Sequence, residues 1–188
     1  MFGGFGKKKM ETAVSSDMIS KQRRYETLVR ALHTDLFRYA YWLVSDRSVA
    51  EDLVQETFLR AWKSLDSLKD EKAAKAWLIT ILRRENARRF ERKQFDLSDI
   101  EDHQLADTTT AGPDQNTESH LLQQKMAQLQ PDYREPLILQ VLYGFSGEEI
   151  ATILELNRNT VMTRLFRARN QLREALEVDP LDVGHRNG

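Results

Sequence analysis

Residues 146–177 read SGEEIATILELNRNTVMTRLFRARNQLREALE, and this stretch decides the fold of the second half of the chain. Ser146 and Glu149 have the spacing of a capping box, in which each residue satisfies a backbone N–H of the other, so a helix is predicted to begin here. Residues 155–157 interrupt the helical pattern, and a longer basic helix is predicted over residues 159–177. A short helix, a three-residue turn and a longer basic helix are typical of a helix-turn-helix.

The two faces of the longer helix differ in character. At 100° per residue, its apolar side chains fall on one stripe and are predicted to be core: Val161, Leu165, Ala168 and Leu172. Recognition helices meet base edges with their N-terminal turns, so the side chains that lie off the apolar stripe near its start are the DNA-binding candidates. These candidates are Arg158, Asn159, Thr160, Met162, Thr163, Arg164 and Arg167. The alternative is a helical hairpin that binds no DNA.

The rest of the chain also shows helical periodicity, with apolar residues recurring over residues 28–43, over residues 50–65 and again from Ala73. Residues 96–118 hold seven acidic residues and no Lys or Arg, which is typical of a linker. We therefore predict an all-α fold of two small domains. The predicted parts are a flexible tail at 1–20, a helical domain at 21–94, an acidic linker at 95–118, the helix-turn-helix domain at 119–177 and a tail at 178–188.

Positive charge is concentrated in two places. The whole chain of 188 residues has 28 Lys and Arg against 29 Asp and Glu, a formal net charge of -1. Residues 83–93 nevertheless hold six basic residues and two acids, and residues 158–173 hold five arginines and no acid. Because DNA affinity comes from local neutralisation of phosphates, two basic helices favour contact with DNA at two places. Two solvated helix faces are the alternative interpretation.

The composition excludes several classes of protein. Without cysteine, the chain has no disulfide, no thiolate metal site and no cysteine nucleophile. No stretch approaches the roughly 18 apolar residues that cross a bilayer, and the first residues lack a signal-peptide core, so we expect a soluble cytoplasmic protein without membrane insertion. The four histidines, His33, His103, His120 and His185, are isolated, and no catalytic motif is present. We therefore expect no cofactor, no metal and no enzymatic activity, although an enzyme remains a rival class.

Two blocks of sequence carry a resemblance to a known family. Residues 50–62, AEDLVQETFLRAW, match the pattern A-E-D-x-x-Q-E-x-F-x-x-x-W, and the helix-turn-helix contains T-V-x-x-R-L-x-R-A-R over residues 160–169. With the acidic stretch between them, these blocks resemble the extracytoplasmic-function (ECF) class of bacterial sigma factors over residues 24–177. The resemblance implies a subunit that directs core RNA polymerase to specific promoters in a stress or envelope response. A polymerase-independent helix-turn-helix regulator is the alternative function.

The resemblance implies that the first block docks on the clamp helices of the polymerase beta-prime subunit. The candidate residues are Asp52, Leu53, Gln55, Glu56, Phe58 and Arg60. The polar members are spaced to form one helix face that suits a basic partner helix. Leu53, Phe58 and Trp62 are expected to supply apolar contact. Other implied partners are the polymerase beta flap, promoter DNA and an anti-sigma factor.

The resemblance also implies two DNA contacts: the helix-turn-helix binds the minus-thirty-five promoter element as duplex, and the basic helix, predicted over residues 74–93, reads the minus-ten element as a melted strand. The candidate residues are Arg83, Arg84, Asn86, Arg88, Arg89, Arg92 and Lys93. Their cations suit a phosphate backbone, and the Asn86 amide suits a base edge. The loop at residues 64–72 is expected to receive a flipped base. Trp62 and Trp77 fall on apolar stripes, so we expect both to pack in the core rather than stack on bases.

Some positions depart from the family pattern. Glu155 stands where a Gly is frequent, and a positive φ there would cost about 1–2 kcal/mol. Asn157 and Asn159 replace a frequent Pro and Gly, and either Asn is suited to cap the second helix. Met162 replaces a usual Lys and so removes a cation from the predicted DNA face.

Overall fold

The computed structural model describes the backbone of residues 5–97 and 117–177, and side chains within residues 17–92 and 121–177. These residues form helices and turns without a strand, which confirms the predicted all-α class. The helices are α1 (Phe5–Val44), α2 (Arg47–Ser64), α3 (Ala74–Leu97), α4 (Thr117–Gln128), α5 (Pro131–Tyr143), α6 (Gly147–Leu154) and α7 (Arg158–Glu177). None of the described helices is both long and apolar enough to span a membrane.

The described residues divide into two compact units. The N-terminal unit holds residues up to 40 together with residues 51–97, and the C-terminal unit holds residues 117–177 together with residues 41–50. The acidic linker predicted at 95–118 falls largely outside the described residues, and the tail at 178–188 falls entirely outside them. The predicted boundaries of the linker and of the C-terminal tail therefore stay predictions.

Helix α1 begins much earlier than expected. We predicted a flexible tail over residues 1–20, whereas the structure continues the helix back to Phe5. The sequence gives a reason, because residues 7–20 contain no Gly or Pro and include several good helix formers. The apolar periodicity that defined the predicted start reports only the packed part of a helix, and α1 extends beyond it.

Aromatic and ionic contacts join the helices of the N-terminal unit. Tyr25 of α1 meets the Trp62 ring edge-on at a centroid distance of 5.1 Å and donates a hydrogen bond to the Phe58 carbonyl oxygen at 3.1 Å. Burial raises the pKa of the Tyr25 hydroxyl. Lys75 of α3 pairs with Asp35 of α1 at 2.6 Å. These contacts hold α2 and α3 against α1, so that each helix keeps one face exposed.

Two short 3₁₀ turns connect α2 to α3, at Leu65–Ser67 and Glu71–Ala73. Leu65 and Leu68 are buried here, and Trp77 packs against them half-buried. The expectation that Trp62 and Trp77 serve packing is therefore confirmed.

The C-terminal unit is built around contacts of α7 with α5 and α6. Val161, Leu165 and Ala168 are fully buried, as the periodicity predicted, whereas Leu172 is half-buried. Their burial against α5 and α6 fixes the rotation of α7 about its axis. The opposite face of α7 therefore points to solvent.

Candidate nucleic-acid and protein interfaces

The start of α6 is fixed by the predicted capping box. The Glu149 N–H donates to Ser146 Oγ at 3.3 Å, and the Ser146 N–H donates to Glu149 Oε2 at 2.8 Å. The hydrogen bond from the Ser146 backbone, followed by that from its side chain, lowers the pKa of the Glu149 carboxyl. The pair satisfies helix N–H groups that would otherwise lack partners, so the first helix of the motif has a defined beginning.

The turn between α6 and α7 has the predicted length and a strained residue. Glu155 lies in the left-handed region with φ 56° and ψ 40°, and the Leu156 N–H returns to the Ala151 carbonyl oxygen at 2.9 Å. A left-handed conformation in a residue with a Cβ costs about 1–2 kcal/mol. Asn157 Oδ1 accepts the Thr160 N–H at 2.7 Å, so Asn157 caps α7, which begins one residue earlier than predicted.

The exposed face of α7 carries the predicted DNA-binding side chains. Arg158, Asn159, Met162, Thr163 and Arg167 are exposed, while Thr160 and Arg164 are half-buried. Phe166, one helical turn after Met162, is 64% exposed. The predicted set omitted this phenylalanine although it falls on the same face. The structure thus brings the candidates of the first turns of α7 together on one surface.

A cleft of about 690 Å³ lies between this surface and the start of α5, which contributes Asp132 and Tyr133. Arg164 Nη2 pairs with Asp132 Oδ2 at 2.6 Å, and Arg167 Nη1 donates to the Tyr133 hydroxyl at 3.2 Å. Arg158 pairs with Glu148 of α6. These partners could not be predicted from the sequence pattern, since Asp132 and Arg164 are 32 residues apart.

Helix α2 presents a polar face in the N-terminal unit. Asp52 and Gln55 are exposed, and Arg60 pairs with Glu56 at 3.1 Å through its Nε. The Asp52 side chain is 67% exposed, and that of Glu56 is 46% exposed while it contacts Arg60. The face therefore presents carboxylate groups to solvent, and its role in binding a partner stays a prediction.

The expectation that Leu53 and Phe58 contact a partner is wrong. Leu53 is 3% exposed and Phe58 is 6% exposed, so both belong to the core, and Trp62 is half-buried against Tyr25. These side chains lie on the apolar stripe of α2 that packs against the core, and a side chain buried in the core is not available to a partner. Leu59 is the large apolar side chain that α2 leaves on the surface, at 57% exposure.

The predicted basic residues of α3 differ in their surroundings. Arg84, Arg88, Arg89 and Arg92 are exposed and Arg83 is half-buried, while the side chain of Lys93 lies outside the described residues. Asn86 is half-buried, and its Oδ1 is buried without a hydrogen-bond partner, so this oxygen is not presented to a base. Asn86 follows buried Leu82 by four positions, which places it on the inward side of α3.

One side chain that the sequence did not single out lies between the two candidate surfaces. Glu85 is 6% exposed, and its Oε1 lies 2.7 Å from Arg88 Nη1 and 3.4 Å from Arg60 Nε. Arg89 Nη1 lies 4.0 Å from Asp52 Oδ2. The polar face of α2 and the basic helix α3 are therefore connected by ion pairs.

Two family models match the chain, Sigma-70 region 2 over residues 28–95 and Sigma-70, region 4 over residues 119–172. The chain is 35% identical over 164 residues to the ECF RNA polymerase sigma factor SigL of Mycobacterium tuberculosis, with 80% of this chain and 89% of SigL covered. It is 26% identical over 168 residues to SigX of Bacillus subtilis, another ECF RNA polymerase sigma factor, with 84% and 86% covered.

Two solved structures are also similar. The sigma factor RpoE, in complex with the anti-sigma factor NepR from Bartonella quintana, superposes with a TM-score of 0.75 at 31% identity, covering 84% of this chain and 99% of RpoE. CnrH, in complex with the cytosolic domain of CnrY, gives a TM-score of 0.61 at 25% identity, covering 85% of this chain and 91% of CnrH.

Proposed function

The chain belongs to the ECF sigma factors, and from that premise we propose which of its surfaces bind RNA polymerase and which bind the promoter. As a sigma factor, it directs bacterial core RNA polymerase to specific promoters at transcription initiation. A regulator that binds duplex DNA without polymerase is not favoured, because the region 2 match covers the half of the chain that such a regulator does not need.

The polymerase surface is the polar face of α2, formed by Asp52, Gln55, Glu56 and Arg60 together with exposed Leu59. Its two accessible carboxylates suit the basic groups of a partner helix, which we assign to the beta-prime clamp helices. Leu59 adds an apolar contact beside these charges. The beta flap is the proposed polymerase contact of the C-terminal unit.

The minus-ten surface is the basic side of α3. Arg84, Arg88, Arg89 and Arg92 are spaced along about two turns of helix, where they can follow the phosphates of a melted strand. We assign no base preference to this surface, since the Asn86 Oδ1 acceptor is buried.

The minus-thirty-five surface is the exposed face of α7, and one observation carries this assignment. The apolar stripe of α7 is buried, and the N-terminal turns of the helix expose Asn159, Met162, Thr163 and Arg167 on a single face. This arrangement is the one in which a recognition helix meets base edges in the major groove. Arg158 and Arg164 keep donors for phosphates, because a guanidinium has five N–H groups. Polymerase holds both DNA contacts at once, so two weak contacts act through effective concentration.

Catalysis and regulation follow from the same premise. Sigma factor identity indicates a specificity subunit, and we assign the nucleotide chemistry to the polymerase and the place of action to the cytoplasm. RpoE forms a complex with the anti-sigma factor NepR, and CnrH forms a complex with the cytosolic domain of CnrY. By analogy, we propose an anti-sigma factor for this chain. A role in a stress or envelope response stays a prediction.

Run-off transcription tests the assignment of the polymerase surface. Core enzyme and the chain are mixed with genomic fragments, and a promoter that is transcribed only when the chain is present is then used to compare the variants. Asp52→Ala combined with Glu56→Ala should abolish promoter-specific transcripts without unfolding the chain, since neither side chain is part of the buried core. Glu174→Ala combined with Glu177→Ala removes the same charge from the end of α7 and should leave transcription unchanged. Equal transcription by both double variants contradicts the assignment.

A further inference from the structure

Glu85 is the charged side chain that the N-terminal unit buries. Among the residues whose side chains are described, Thr57 is the only other polar residue that is buried, and its hydroxyl donates a hydrogen bond to the Leu53 carbonyl oxygen of its own helix. A carboxylate taken out of water is costly unless cations and hydrogen bonds replace the solvent. The position of Glu85 therefore requires the arginines that surround it.

Those arginines come from two helices with different proposed roles. Arg88 lies one turn further along α3, and its Nη1 is 2.7 Å from Glu85 Oε1. Arg60 comes from α2, with its Nε 3.4 Å from the same oxygen and 3.1 Å from Glu56 Oε1. Glu56, Arg60, Glu85 and Arg88 thus form a continuous series of ion pairs from the polymerase surface to the minus-ten surface.

The exposure of Arg88 leaves it able to bind a further anion. Its side chain is 44% exposed while it contacts Glu85. A guanidinium has five N–H donors in a planar fork, and a single carboxylate oxygen does not occupy them all. A side chain already held in one position loses less conformational entropy when it binds a phosphate. Glu85 can therefore hold the Arg88 side chain in a position from which its remaining N–H groups bind a DNA phosphate.

We propose that Glu85 is a positioning residue for promoter opening: it orients Arg88 toward the melted minus-ten strand and, through Arg60, joins that contact to the polymerase surface. The proposal rests on the assignment of the faces of α2 and α3 given above. Glu85 itself touches no DNA, because it is buried. Its effect on DNA is exerted through Arg88.

The first test removes only the charge. Glu85→Gln is compared with the unchanged chain at saturating core polymerase, and strand opening is followed by permanganate reactivity of unpaired thymines in a promoter found by run-off transcription. We expect opening to slow about tenfold, within the range of coupling between contacting groups. The matched control is Glu91→Gln, which neutralises an exposed acid of the same helix and should not slow opening. Opening by Glu85→Gln at the unchanged rate overturns the proposal.

The second test separates positioning from a general loss of structure. Arg88→Gln should slow opening to a similar extent, and the double variant Glu85→Gln with Arg88→Gln should be no slower than the worse single variant, within about twofold. If the two single effects instead multiply in the double variant, Glu85 acts independently of Arg88 and the proposal is wrong. Thermal unfolding of every variant is measured alongside.

Glu85→Asp covers the case in which the Gln variant does not fold. It keeps the charge but is one methylene shorter, so we expect slower opening because the carboxylate no longer reaches both arginines. An unchanged rate with Glu85→Asp, if the Gln variant is unfolded, also overturns the proposal. Failure of the proposed function is distinguishable, since the unchanged chain would then give no opening at all.

Discussion

Replacing Glu155 by Gly should stabilise the C-terminal unit. Glu155 has φ 56° and ψ 40°, a conformation that costs a residue with a Cβ about 1–2 kcal/mol and costs glycine almost nothing. Glycine also makes the unfolded chain more flexible, which offsets about 0.5–1 kcal/mol of that gain. The net expectation is a gain of up to about 1.5 kcal/mol, with a central value of about 0.7 kcal/mol, which corresponds to about 3–6 °C in Tm if the unit melts as a domain of 60–100 residues.

Thermal and urea unfolding followed by circular dichroism measure this change, and Glu155→Ala is the matched control. Alanine removes the same charged side chain but keeps the Cβ, so it should give none of the gain that comes from the backbone. Any contribution from the Glu155 side chain is lost in both variants and cancels in the comparison. If Glu155→Gly is no more stable than Glu155→Ala, the strain at position 155 does not exceed the about 0.5–1 kcal/mol by which glycine favours the unfolded chain, and the expected stabilisation is wrong.

Three further predictions concern the helix start and the surface of α2. Ser146→Ala should lower the free energy of unfolding by about 1 kcal/mol in urea titrations, because the N-cap of α6 is lost. The pKa of the Glu149 carboxyl is lowered in the folded chain. The ionised carboxylate therefore stabilises the fold at pH values above the ordinary pKa of 4.5, and this stabilisation is lost as the pH falls through the lowered pKa of the folded chain. Melting curves between pH 7 and pH 3 should therefore show a smaller acid-dependent loss for Glu149→Gln than for the unchanged chain. Leu59→Ala should weaken core polymerase binding with little change in Tm, whereas Phe58→Ala should cost about 3–5 kcal/mol of stability; equal losses of stability would contradict the division between surface and core.

Local features were predictable because neighbouring residues determine them. The capping box depends on Ser146 and Glu149, three positions apart, and the buried stripe of α7 depends on a repeat that Val161 and Leu165 already display. For Glu155 the sequence indicates only that a positive φ would be costly, and the structure shows that the turn does adopt one. In each case the information lies within one or two turns of the chain.

Two kinds of error arose where local pattern was insufficient. Leu53 and Phe58 belong to a motif that contains both core residues and surface residues, and the motif alone does not show which is which. The apolar stripe of α2 does show it, because both residues lie on that stripe and are buried. The environment of Glu85 depends on Arg60, 25 positions earlier, so the sequence alone presents it as an ordinary solvated acid between basic residues. Contacts of this kind require the packing of α2 against α3 to be known.

Binding of the fluorescently labelled chain to core RNA polymerase, measured by anisotropy, tests whether the chain associates with the enzyme through α2. We expect a saturable complex, and we expect the Asp52→Ala, Glu56→Ala variant to bind at least about tenfold more weakly, since close charge pairs across an interface contribute more than 1.4 kcal/mol. A chain that forms no complex with core enzyme, or a double variant that binds as tightly as the unchanged chain, would contradict the account.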